Sequence, residues 1–322
     1  MVRPTVDVVH VGSAARDVAG DEPGGWRLGG GVSYGALTTA RLGLRTAAIV
    51  AVDEASAAAA ELDRLRAAGV SIHPVHFDEG PVFQNVHTGA GRDQIALAVG
   101  QPLAPPTDLP AGWRAPRAWS LVPVAGEIDD RWAAVLGPAA VVALGWQGWL
   151  RRLVAGRAVG RRAPRSTALT RRADLIGVST EDLAAGTEPA ALLRFLRPGV
   201  RLLVTDGPAG GRVVASDATE PGAIVTERFQ AIPSTAAVDP TGAGDVFLAA
   251  FLAATVRPDL VGSGRGAVEP LRFAAAAASL VVQAHGLRGV PDLDAVWARL
   301  ATTDAATSGS ETGRTARVVL PR

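Results

Sequence analysis

The segment Val238-Asp239-Pro240-Thr241-Gly242-Ala243-Gly244-Asp245-Val246-Phe247 constrains this chain more than any other, because it ends a loop, opens a helix and sets one carboxylate at their junction. Gly242, Ala243 and Gly244 carry little or no side chain to hinder an incoming anion. The peptide N–H groups opening a helix over 244–256 would face that anion with the positive end of the helix dipole. Asp245 then lies in the first turn, within reach of an alcohol proton, while neighbouring N–H groups steady charge moving onto phosphoryl oxygens. Taken alone, Gly-Ala-Gly-Asp is equally a turn followed by an acid that favours the helix dipole. The longer context favours the chemical reading.

Composition narrows the chemistry by exclusion. With 48% hydrophobic residues, the 322-residue chain can bury a substantial core. A formal net charge of +1 points to neither a nucleic-acid surface nor an anionic membrane, so a small-molecule partner is expected. Cysteine is absent, which removes disulfides, thiol nucleophiles and cysteine-ligated zinc. Lysine is absent too, which excludes a Walker A loop, a protein-kinase strand lysine and any Schiff base. A phosphate must therefore be held by backbone N–H groups, arginines or a metal ion. The amino-terminal MVRPTVDVVHVG lacks the apolar stretch of a signal peptide, and the apolar run 273–284 is too short to span a bilayer, so a cytoplasmic location is expected.

Along the chain, Val6 to Val11 reads as a buried strand broken at Gly12, and Ser13 to Gly31 as surface rich in charge and glycine. Ser33 to Leu42 fits a helix stopped by Gly43, followed by a strand over 46–52 and a helix ending near Gly69. Alternation between 75 and 97, with turns at 78–81 and 88–91, predicts short antiparallel strands that form a lid sheet. Strands at 118–123, 139–144, 174–178 and 201–206, with helices near 129–136 and 188–196, carry the rhythm of a parallel sheet covered by helices. Arginines 151, 152, 157, 161, 162 and 165 crowd a hairpin-like insertion that reads as a solvated connection. Helices over 244–256 and 268–284 close the core. One main unit is expected over 1–302, with lid strands near 13–31 and 75–99, and a disordered tail over 303–322.

VDPTGAGDVFLAAFL at 238–252 resembles the second signature of the ribokinase/PfkB carbohydrate kinases. LGGGVSYGALTTARLG at 28–43 is similar to the family's first signature, and LVTDGPAGGRVV at 203–214 to its nucleotide-binding strand and turn. The resemblance covers about residues 6–300. It implies an α/β, ribokinase-like three-layer fold with a central, mostly parallel sheet and a small β-sheet lid. It further implies ATP-dependent phosphorylation of a hydroxyl on a sugar or sugar-like polyol, with Mg2+ and with a monovalent cation left open.

Carried over, Asp245 is the catalytic base, with Gly242, Ala243 and Gly244 as the anion hole. Thr241, Thr205, Gly207, Gly210 and Gly286 fall on the nucleotide side. Asp17 would take a substrate hydroxyl, with Gly30 and Gly31 letting the backbone approach closely. Asp239 would hydrogen-bond the substrate or fix its own Asp-Pro loop. Arg92, in the lid, would reach substrate or phosphate, or simply be solvated. Tyr34 stands where many members carry asparagine, so ribose or fructose cannot be assumed as acceptor, and packing is an equal reading. The family's Asn-x-x-Glu motif appears as Ser179-Thr180-Glu181-Asp182, which leaves Asp182 and Glu181 as metal ligands acting through water, or as ordinary first-turn acids. Glu127 borders the pocket or caps a helix. VGSAARDV at 11–18 with GGGVSYGA at 29–36 leans toward the branch with inositol-type kinases, and the lid edges toward a homodimer.

Other classes compete. A nucleoside kinase shares the same signatures. Gly31-Val32-Ser33-Tyr34-Gly35 fits a hydrolase nucleophile elbow with Ser33 followed by Asp245 and His285, but GGWRLGG ahead of it is too rich in glycine for the required strand. Gly262 to Ala267 imitates a dinucleotide fingerprint with no strand before it. A sugar-binding protein that lost catalysis would have no need of a base beside an anion hole.

Overall fold

A computed structural model of the chain describes residues 6–88, 91–217, 220, 222–262, 267–307 and 318–319. Val8–Ser13, buried at all six positions, belongs inside a sheet covered on both faces, and Thr46–Val52 repeats the pattern over seven residues. The two pair in parallel, from Val8 beside Thr46 to Ser13 beside Ala51. From there the sheet extends outward to Ser71–His76. On the other side of Val8–Ser13 lie, in order, Ala118–Leu121, Val141–Gly145, Leu175–Ser179 and Arg201–Thr205, all parallel. Gly211–Ser216, Ile224–Phe229 and Val318–Val319 continue the sheet antiparallel.

The direction in which the chain adds strands thus reverses between Val8–Ser13 and Ala118–Leu121. Open parallel sheets leave a crevice beyond the carboxyl ends of the strands at such a reversal. Gly12 shows how tight the join is: a Cβ there would stand 2.8 Å from the Val122 carbonyl oxygen.

Helices Gly31–Arg41, Ala243–Val256 and Pro270–Val281 cover one face, while Trp113, Trp119, Trp132 and Trp146 fill the core on the other. Ala243–Val256 is buried continuously from Val246 to Ala254, and its apolar residues run all round because sheet and helix press on it from both sides. Gly177 permits the close approach, since a Cβ there would touch Leu248 at 3.2 Å. Phe247 stacks on Phe229 with centroids 4.8 Å apart, pinning the first turn of the helix against the antiparallel extension. The helices expected near 129–136 and 188–196 are shorter than read, a 3₁₀ turn at Asp130–Ala134 and a helix Pro189–Leu192 that tightens into a 3₁₀ turn at Leu193–Phe195.

A second sheet of five strands forms the lid, in the order Arg157–Ala158, Gly91–Val99, Pro81–Thr88, Arg16–Val18, Trp26–Leu28. Two sequence expectations need correction here. Val75 and His76 end a strand of the large sheet. The arginine-rich insertion is more than a solvated connection: Arg151–Arg152 pairs with Gly160–Arg161, and Arg157–Ala158 becomes a lid strand against Ala96 and Ile95. Alternation broken by glycines hid that strand. The tail also begins later than expected, since helix Leu293–Thr307 runs past 303 and Val318–Val319 pairs with Ile224–Phe229. Residues 308–317 and 320–322 of that tail lie outside the described residues, as do 89 and 90 of the expected lid turn. No helix among the described residues is long and apolar enough to cross a membrane.

Candidate active site

The 238–247 segment reaches the crevice as a loop that ends in a left-handed residue. Gly242 has φ 83°, and a Cβ on it would stand 2.3 Å from the Tyr34 ring, so both its conformation and its neighbour demand glycine. Ala243 N–H is taken up by the Pro240 carbonyl at 3.2 Å. That spends one of the amides expected in the anion hole. The N–H groups of Gly242, Gly244 and Asp245 meet no protein acceptor among the described residues, and space around Gly244 is open. Donors of this kind at the start of a 14-residue helix are able to receive an anion.

Asp239 fixes this loop. Its Oδ1 accepts from Thr241 N–H at 2.9 Å and its Oδ2 from Arg27 Nη1 at 3.2 Å and Gly286 N–H at 3.5 Å. Of its two expected roles, the structure supplies the loop-fixing one. Burial works against its charge, but the bonds from Thr241 and Gly286 and the Arg27 charge outweigh it and hold the carboxyl below its ordinary value.

Asp245 is partly reachable by solvent and otherwise walled by protein. A Cβ on Gly31 would stand 2.7 Å from its Oδ1, so the backbone of helix Gly31–Arg41 touches the carboxylate only because residue 31 has no side chain. Burial, foremost, pushes its carboxyl up to about 7, with Arg151 opposing and the charges of Asp182 and Asp17 adding to the rise. Asp17 faces Gly29, where a Cβ would meet its Oδ2 at 2.3 Å, and a Cβ on Gly30 would meet the Ser13 carbonyl at 2.3 Å. Tyr34 is buried between these groups: burial and the fields of Asp17, Asp239 and Asp245 raise its phenol well above its ordinary range. One crevice therefore brings together Asp17, Gly30, Gly31, Tyr34, Gly242, Gly244 and Asp245.

Sequence reasoning missed Arg151 and Gln147. They follow the carboxyl end of central strand Val141–Gly145, and that position beyond a strand end was the available signal. Gln147 Nε2 donates to both carboxylate oxygens of Asp182, at 3.2 and 3.4 Å. Arg151 Nε approaches Asp182 Oδ1 at 4.0 Å, and its guanidinium carbon lies 5.5 Å from the centroid of the Phe83 ring in the lid. Burial raises the Asp182 carboxyl despite Arg151 and Gln147.

Glu181 is exposed, and it is its carbonyl that is engaged, accepting from Arg161 at 2.9 Å. Among the described residues no group of three or more histidines or carboxylates could cage a metal. Asp182 alone fits a magnesium that arrives on donor phosphates and keeps its own waters; Glu181 does not.

The remaining assignments scatter. Thr205 and exposed Gly207, with φ 51°, end a strand on the same edge of the sheet, whereas Gly210 is buried with its Cβ position 2.2 Å from the Phe229 carbonyl, a packing demand. Gly286 starts a 3₁₀ turn beside Asp239. Arg92 lies in lid strand Gly91–Val99, and its side chain is outside the described residues. Glu127 is buried and accepts from Ser13, Val124 and Ala125 N–H, which staples the end of the first strand to the loop after Leu121. Ser33 is buried in the first helical turn, and its Oγ has no hydrogen-bond partner, while His285 meets Arg27; the hydrolase arrangement is absent. Residues 263–266 of the dinucleotide-like segment are outside the described residues.

The model of the pfkB family carbohydrate kinases matches residues 173–293. A ribokinase from Arabidopsis thaliana is 50% identical over 66 residues, a stretch that spans 20% of this chain and 16% of that protein. Among solved structures, the A. thaliana ribokinase complexed with ribose and ATP has a TM-score of 0.64 at 22% identity, covering 92% of this chain and 99% of that one. A pyrophosphate-dependent kinase in the ribokinase family, complexed with a pyrophosphate analog and myo-inositol, has a TM-score of 0.66 at 20% identity with the same coverage. Likeness at these identities speaks to the fold. The chain thus shares the fold of ribokinase-family structures, and its residues 173–293 are similar to the pfkB family carbohydrate kinases, whose members are phosphotransferases with alcohol acceptors.

Proposed function

We propose that the protein is a carbohydrate or polyol kinase that transfers the γ-phosphoryl group of ATP to an acceptor hydroxyl. The observation that carries this reading is Asp245, a carboxyl that burial pushes up to about 7, set beside helix-opening N–H groups that have no protein acceptor among the described residues. Asp245 takes the proton from the acceptor hydroxyl as its oxygen attacks, and the amides of Gly242, Gly244 and Asp245 receive the charge of the transferring group. Asp17 orients the acceptor across the crevice from Asp245. Magnesium bound to the donor phosphates would supply charge neutralisation, with Asp182 meeting it through water.

A polyol acceptor is included because a solved structure sharing the fold holds myo-inositol. Pyrophosphate belongs among the donors to be tried for the same reason. The kinase unit includes helix Leu293–Thr307 and edge strand Val318–Val319, and two copies pair through the lid edge.

The test is a screen of sugars, polyols and nucleosides against ATP, GTP, ADP and pyrophosphate, run on wild type and Asp245→Asn. Asn keeps the shape and removes the base, so turnover should fall about 10²–10⁴-fold while acceptor binding persists. Equal turnover in the two proteins would remove Asp245 from the mechanism.

A further inference from the structure

The lid sheet has two faces, and the crevice meets one of them. Asp17 pairs with Phe83 and Phe83 with Ala96, while Phe83 and Ala96 pack with Ala15 and Val124 of the body, so this row of residues faces inward. Side chains two residues apart along a strand share a face. Asn85 therefore faces inward one row beyond Phe83, and Gln94, its register partner, one row beyond Ala96. The one register shift between these strands lies at Val82 and Phe83, before either row, and does not disturb the alternation.

Phosphoryl transfer gives these two amides no task. Gln94 Nε2 donates to Asn85 Oδ1 at 3.0 Å, and no other polar atom of either side chain meets a protein partner among the described residues, although both residues are half-buried. The bond leaves an NH2 group on Asn85 and a carbonyl oxygen on Gln94. Exchanging oxygen and nitrogen in both amides reverses the bond and leaves the same set, a donor group beside an acceptor.

A ligand edge that answers this set accepts at one atom and donates at its neighbour. Two adjacent hydroxyls do so, since each can do either. The N6 and N7 edge of adenine does so too, but a bound base calls for an aromatic face to stack on. Phe83 is 2% exposed with the Arg151 guanidinium over its ring, and Tyr34 is buried against Gly242, so neither ring is open to a base. A phosphate would find no charge on the pair and a carbonyl oxygen that only accepts. Two residues of strand span about 7 Å, so an acceptor that reaches from Asp17 to the amides carries hydroxyls at both ends of its frame.

We infer that Asn85 and Gln94 form an acceptor subsite in the lid that reads two adjacent hydroxyls remote from the one phosphorylated, and that the acceptor is an uncharged polyol bearing such a pair. The inference rests on the kinase reading and narrows its acceptor.

The test assays wild type, Asn85→Ala, Gln94→Ala and the double variant for transfer from ATP and from pyrophosphate to myo-inositol, glucose, ribose, adenosine and fructose 6-phosphate. Deoxy derivatives of the best acceptor follow. An uncharged polyol should be best on wild type, and a deoxy derivative lacking one of the two remote hydroxyls should show a KM raised about tenfold, the loss of one or two neutral hydrogen bonds. Each alanine variant should raise the KM for the parent acceptor about as much, with a smaller change in kcat and none in the KM for the donor. In the double variant that derivative and its parent should have equal KM, because the missing hydroxyl has already lost its partners. A merely structural role would leave the two penalties additive, and that outcome overturns the inference. So does a best acceptor that is adenosine or the sugar phosphate, an unchanged KM in both single variants, or a deoxy series that wild type does not distinguish from the parent, a result that needs no variant to fold. Each of these leaves phosphoryl transfer standing. Transfer to no acceptor from either donor would overturn both readings together.

Discussion

Arg27 Nη1 of the lid donates to Asp239 Oδ2 of the loop before helix Ala243–Val256 at 3.2 Å, and the same guanidinium grips Asp21 at 2.7 Å and meets His285 Nδ1 at 3.1 Å. One side chain thus joins the lid strand Trp26–Leu28, the loop before the helix that bears Asp245, and the turn after helix Pro270–Val281. Asp239 in turn fixes Thr241 through its N–H. Arg27→Met keeps the stem and removes the charge, which leaves Asp239 partly buried with fewer donors. We expect a loss of about 1–3 kcal/mol in denaturant unfolding, the range for a hydrogen bond to a charged group. A fall of about tenfold in kcat/KM should accompany it, as the loop loosens. Unchanged stability would show that Arg27 is only a surface charge.

The contact between Tyr34 and Gly242 makes a second prediction. Gly242→Ala meets two penalties, a residue with a side chain at φ 83° and a Cβ 2.3 Å from the ring. Backbone strain of this kind costs about 1–3 kcal/mol, and the clash adds to it. Adding Tyr34→Ala to that variant removes the clash and leaves the strain. The double variant should therefore be more stable than the sum of the two single losses predicts, measured as a coupling energy in a double-mutant cycle. Strict additivity would mean the ring moves aside at no cost.

The sequence made the frame of this molecule legible and left its charged cluster dark. Val8–Ser13 and Thr46–Val52 are runs that only a doubly covered parallel sheet can bury, and the Gly242-Ala243-Gly244-Asp245 junction announces itself by glycine chemistry. Arg151 could not be read because its role comes from a non-local fact: a short hairpin folds back so that the first of several similar arginines meets Asp182 while its neighbour Arg152 is exposed. Asp239 could be read as loop or ligand, and its bond from Arg27, distant in sequence, could not be read at all. The amide of Ala243 was misread for the opposite reason, a very local one, since a turn back to Pro240 consumes it.

Because burial holds the Asp245 carboxyl near 7, the base is half protonated close to neutrality. The log of kcat/KM should rise with pH below about 7 with unit slope and level off above it. Weakening the positive neighbour shifts the bend in a set direction: Arg151→Ala removes the opposing charge, so the bend should move to higher pH. A pH–rate profile on both proteins reads this. A bend near the ordinary carboxylate range would show that Asp245 is not the titrating group.

The same shift has a cost for folding, and its sign follows from proton counting. The folded protein holds a proton on Asp245 up to about pH 7, whereas the unfolded chain releases it near the ordinary value of 3.8. Between these limits the folded state binds more protons, so this group's contribution is intact below pH 3.8 and stability drains away as pH rises through the window to about 7. Above that, the ionised carboxylate is a standing destabilisation, which a base in the proposed reaction would have to carry. Asp245→Asn carries no charge to desolvate, so the variant should match wild type in acid and exceed it at pH 8, with the gap opening across the window. Chemical denaturation of both proteins at pH 5, 6, 7 and 8 reads the divergence directly. An Asn variant less stable than wild type at pH 8 would mean that the carboxylate is welcomed by its surroundings, and that the burial argument for a base near neutrality is wrong.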